Sequence, residues 1–104
     1  MPTEREHSRP LPGRHDADLL VRLVLDPQLV GYAVSLRVFI GNKFKTVRLY
    51  DYVAAHGEHH MHRYNGEHKL PSEVLGHPSI QAGLDYAIAQ IRASGSEMIE
   101  AWLR

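Results

Sequence analysis

Five of the eight histidines fall between His56 and His68, in the stretch His-Gly-Glu-His-His-Met-His-Arg-Tyr-Asn-Gly-Glu-His, together with two carboxylates. Imidazole and carboxylate are ligands for divalent transition metals, and imidazole also titrates near neutral pH, so this stretch is the richest in chemistry. Asn65-Gly66 is a two-residue hairpin signal, because a type I′ turn needs positive φ at both central positions. With those two residues as the loop, Tyr64 pairs with Glu67, Arg63 with His68, His62 with Lys69 and Met61 with Leu70. Side chains alternate across a strand. One face then carries Glu58, His60, His62, Tyr64 and Glu67, and the other carries His59, Met61, Arg63 and His68. His60 and His62 project side by side, roughly 6.6 Å apart at about 3.3 Å per residue, with Glu67 on the diagonal. The expected site is therefore a His60, His62 and Glu67 cluster holding a divalent metal (zinc, nickel or iron) or a small ligand.

A helical reading of the same residues puts His56, His59 and His60 at i, i+3 and i+4. Gly57 stands where the zinc-protease pattern needs its general-base glutamate, and Asn65-Gly66 also opposes a helix. The strand reading is preferred, and no catalytic signature names a reaction around it.

The elements that must position this hairpin come from the rest of the chain. At 104 residues, 43% apolar and 23% charged, it is one domain with a single core. Residues 16–104 are expected to form that domain. Residues 1–15, with three prolines, mixed charge and one lone leucine, read as a flexible N-terminal arm. Asp18–Leu25 is β-rich and ends at Asp26-Pro27, a turn signal. Tyr32, Val34, Leu36, Val38 and Ile40 alternate with Ala33, Ser35, Arg37 and Phe39. Gly41-Asn42-Lys43 closes a hairpin into residues 44–52, where Val47, Leu49 and Asp51 share one face and Thr46, Arg48 and Tyr50 the other.

After Pro71 the period lengthens. Pro78-Ser79 starts a helix whose stripe is Ile80, Leu84, Ala87, Ile88 and Ile91. Gly95 ends or interrupts it, and Ser94-x-x-Glu97 resembles a capping box for a short final helix. The predicted fold is α+β: an antiparallel meander of four to five strands, one main C-terminal helix on one face, and that short last segment.

Composition also excludes. No cysteine means no disulfide, no thiolate nucleophile and no Cys-type zinc site, and is compatible with a cytoplasmic protein. Twelve basic against twelve acidic residues leave no global field for nucleic acid or an anionic membrane. No apolar run approaches the roughly 18 residues of a membrane span. Zero formal charge and Trp102-Leu103 at the end of the chain point to a homo-oligomer.

Two resemblances add to this. His60-x-His62-x4-Glu67 is similar in spacing to the first metal motif of cupins, which implies a His, His and Glu ligand set. The second cupin motif has no counterpart here. The stretch Leu49-Tyr-Asp-Tyr-Val-Ala-Ala-His-Gly-Glu-His-His-Met-His-Arg-Tyr64 resembles small bacterial domains of unknown function with a Tyr-Asp…His-Gly…His core. It is also similar to the toxins of TumE-type toxin–antitoxin pairs. That likeness implies an RNA-directed toxin, with Tyr50, Asp51, His60, His62 and Arg63 as its site residues. The third reading is a structural or interaction domain, its histidines merely lining a polar strand.

Overall fold

The computed structural model describes residues Met1–Arg104 as an antiparallel sheet of seven strands with one long helix against one face. The strands are β1 (Thr3–Pro10), β2 (Ala17–Leu25), β3 (Leu29–Ile40), β4 (Lys43–Val53), β5 (Glu58–Asn65), β6 (His68–Lys69) and β7 (Glu73–Leu75), and the helix is α1 (Ile80–Leu103). Strands β1 to β6 follow one another as a meander, and β7 pairs with β5. The α+β class and the meander order agree with the sequence; the strand number is larger.

Alternation explains the core. Directly opposite residues in an antiparallel pair share a face. The row His7, Val21, Val34, Tyr50, Met61 and Glu73 therefore runs across five paired strands and β7 on the helix side. Its apolar members join Leu36, Val38 and the helix residues Leu84, Ala87, Ile91 and Ile99 in one buried cluster. No helix is long and apolar enough to cross a membrane.

Five expectations change. Residues 3–10, read as part of a flexible arm, form β1, fully paired with β2. The lone leucine is the anchor: Leu11 is buried against α1, where a Cβ on Gly95 would lie 2.8 Å from Leu11 Cδ1. The same contact explains the helix. Gly95 neither ends nor interrupts α1; it is buried mid-helix, and glycine there admits the leucine. There is no separate final helix.

Third, a bulge between Leu36 and Arg37 of β3 and the facing residues 46–48 of β4 adds a residue to β4. It breaks the period of two, so Val47 and Tyr50 are both buried in the core instead of on opposite faces. Fourth, the β5–β6 turn is displaced by one residue: Asn65 pairs with His68 and Tyr64 with Lys69. The loop is Gly66-Glu67, with Gly66 at φ 62° in the first loop position, which a II′ turn reserves for glycine. Trp102, expected to be uncovered, is half-buried and donates from Nε1 to the Gly66 carbonyl at 3.2 Å.

Candidate functional site

The helix covers one face of the sheet only. On the other, open face the register sets Glu6, Arg22, Ala33, Asp51, His60 and Val74 in a row across the strands. His60 and His62 stand side by side on this face, ring centroids 6.4 Å apart, as alternation along β5 requires. His56, in the turn before β5, extends the line with its ring 6.2 Å from His60. Three imidazoles thus form a row, two on β5 and one in the turn before it.

Carboxylates flank the middle ring. His60 Nδ1 is 3.9 Å from Asp51 Oδ1, and His60 Nε2 is 3.7 Å from Glu58 Oε1. Both distances exceed hydrogen-bond length, so these are close approaches rather than closed bonds. Asp51 Oδ1 is buried and has no hydrogen-bond partner. A buried carboxylate oxygen without a donor is costly, and it marks a position that a donor or cation would satisfy.

His62 is held differently. Its Nδ1 lies 3.1 Å from the Leu70 carbonyl. A carbonyl only accepts, so Nδ1 carries the proton and the neutral ring keeps its lone pair on Nε2. This is how a metal-binding histidine is typically oriented by a neighbouring acceptor.

Glu67 does not join them. It sits at the tip of the displaced turn, bound to Lys43 Nζ at 3.1 Å and Lys45 Nζ at 3.6 Å, and these two ammonium groups hold its carboxyl below the usual range. No three His, Asp or Glu groups of the structure converge as a metal-holding set, so His60, His62 and Glu67 are not a preformed triad. Of the residues carried by the toxin resemblance, Asp51 and His60 are neighbours with His62 beside them. Tyr50 is in the core, and Arg63 is bonded to Glu73 at 2.7 Å.

A second histidine group lies on the helix side, and sequence reasoning missed it. His59, adjacent to His60 but pointing the opposite way, is buried with its Nδ1 2.6 Å from the Tyr32 hydroxyl. The Tyr52 ring is 4.6 Å away and the His77 ring 4.8 Å; His77 in turn meets Tyr86 at 4.8 Å. Burial first, then the neighbouring His77 and His60, push His59 below the ordinary imidazole value. Burial, with a smaller contribution from the Asp51 charge, pushes the Tyr32 hydroxyl up to about 12. A neutral imidazole beside a protonated phenol favours O–H donation to a bare Nδ1. The available signal was the alternation of Tyr32 and His59 onto apolar faces; nothing local linked them to His77.

Compared with known proteins, the chain matches no family model, no curated protein and no solved structure.

Proposed function

We propose that the protein binds a divalent transition metal on the open sheet face, with Asp51 and His60 as its first ligands and His62 or His56 closing the set. The observation that carries this reading is the buried, partnerless Asp51 Oδ1 facing His60 Nδ1 at 3.9 Å. Two ligands of one tetrahedral zinc, each near 2.0–2.1 Å from the metal, stand about 3.3–3.4 Å apart, so the Asp51–His60 pair must draw together by about half an ångström. His62 or His56 must rotate in as well, since no three such groups converge in the structure. His62 offers Nε2 from a ring already oriented by Leu70. Glu67 takes no part.

The test is calorimetric titration of zinc and nickel into tag-free protein. Wild type should take up one metal. Asp51→Asn and His60→Ala should each weaken binding by about tenfold or more, the range of losing a ligand or its orienting partner. Glu67→Ala should bind as wild type. No uptake, or equal losses from all three variants, rejects the reading.

The grouping of Asp51, His60 and His62 also supports a second reading, RNA cleavage, since these three belong to the toxin resemblance. Two imidazoles about 6 Å apart suit acid–base work on a phosphodiester. Asp51 and Glu58 beside them repel a phosphate, and a bound cation would reverse that repulsion. Cleavage of RNA by the metal-loaded protein, lost in His62→Ala, is the expected result under this second reading.

A further inference from the structure

We propose that the groove between β1 and α1 is the docking site of an acidic amphipathic helix from a partner protein. The strands from β1 to β5 span about 19 Å at roughly 4.8 Å per step, whereas a helix is about 10 Å wide. Helix α1 packs on β3, β4 and β5 and buries β2 as far as Val21, so the helix side of β1, and of β2 at Leu23, is left open. The opening is a groove of about 870 Å³ between the two elements. Its floor is apolar, with half-buried Leu23 and Ile88 and the exposed Ala89.

Its β1 rim is basic, and its α1 rim carries Arg92 together with Asp85. His7 and Arg9 line it from β1 and Arg92 from α1. Arg5 shares their face, because it pairs with Leu23 as His7 pairs with Val21. Arg14, Arg22, Arg37 and Arg63 are each paired with a carboxylate, whereas Arg5, Arg9 and Arg92 have no such partner. The only acid on the rim, Asp85, accepts from Gln81 Nε2 at 2.9 Å. Unpaired cations on either side of an apolar strip match a helix with an apolar stripe bordered by acids.

Other occupants fit less well. The chain has one helix, already docked, so it cannot supply the guest itself. A second copy adding its own β1 antiparallel would set same-face residues opposite each other, bringing Arg5, His7 and Arg9 against their own counterparts. A single amphipathic anion has one head group, whereas these cations lie on two rims, and Arg5 and Arg9 stand about 13 Å apart along β1.

The test uses the full chain and two synthetic helical peptides with the same leucine stripe, one flanked by glutamates and one by lysines. Affinity is read by fluorescence anisotropy and the footprint by NMR shift mapping. The glutamate peptide should bind about tenfold or more tightly than the lysine peptide, shift Leu23, Ile88 and Ala89, and weaken with salt. The double variant R9E/R92E, which breaks no ion pair, should reverse the preference, and Ala89→Arg should block both peptides. Equal affinities, no binding, or a footprint away from the groove would overturn the proposal. So would one-to-one binding of dodecanoate that displaces the glutamate peptide, or a dimer in sedimentation that buries β1. The histidine face lies on the opposite side of the sheet, so failure of the metal reading leaves this result readable.

Discussion

The Tyr32 hydroxyl meets His59 Nδ1 at 2.6 Å directly beneath Gly83 of α1. The two side chains come from β3 and β5, and their ring centroids are 5.7 Å apart across the intervening Tyr52 of β4. A Cβ on Gly83 would collide with the His59 ring and lie 2.5 Å from the Tyr32 hydroxyl oxygen. Glycine is required here for close approach, not for backbone freedom.

Gly83→Ala should therefore destabilise the protein by about 1–3 kcal/mol, as overpacked cores do, although alanine is the better helix former. Chemical denaturation checks this. A stabilised variant would mean that the helix does not rest on the Tyr32–His59 pair.

The pair also predicts pH dependence. The folded pKa of His59 lies below its unfolded value near 6.5, so the unfolded chain takes the proton more readily. Its contribution is fully present above about pH 6.5 and is lost as the pH falls through the depressed folded value. Tyr32 works in the opposite sense: with its folded value near 12, its contribution holds below about pH 10 and is lost as the pH rises towards 12. Denaturation midpoints measured from pH 7.5 down to 5 should fall in wild type and flatten in His59→Phe.

Leu11 is 3% exposed and touches the helix at Gly95. Leu11→Ala should cost about 2–5 kcal/mol, the range for a buried leucine. A loss under about 0.5 kcal/mol would restore the picture of a flexible N-terminal arm.

On the open face, metal uptake should weaken on acidification, because a protonated imidazole has no lone pair to offer. Isothermal titrations at pH 7.5 and 5.5 test this. Undiminished affinity at the lower pH would remove the histidines from the ligand set and leave carboxylates alone.

Trp102→Phe removes the bond to the Gly66 carbonyl and should cost about 0.5–1.5 kcal/mol. Amide exchange should speed up selectively at the β5–β6 turn. An unchanged turn would mean that Trp102 does not hold that hairpin.

Periodicity alone determined much of this molecule. The period of two placed Tyr32, Val34, Leu36 and Val38 in the core and set His60 and His62 on one face opposite His59 and Met61, because alternation is a property of any extended backbone. The helix start at Ser79 was legible too, since its side chain caps the Ala82 amide at 3.0 Å. What escaped is whatever depends on partners far along the chain. Glu4, Arg5, Glu6 and His7 carry no apolar alternation, and only pairing with β2 makes them a strand. The bulge opposite Leu36 and Arg37 turns Val47 and Tyr50 to the same side, and no residue type announces it. The turn moved from Asn65-Gly66 to Gly66-Glu67, a difference that both sequences tolerate locally. The pairing of β5 with β7 and the contact of Trp102 with Gly66 exist only in the folded chain. That single step carries Glu67 away to Lys43 and Lys45 and leaves Asp51, from the neighbouring strand, as the carboxylate beside His60.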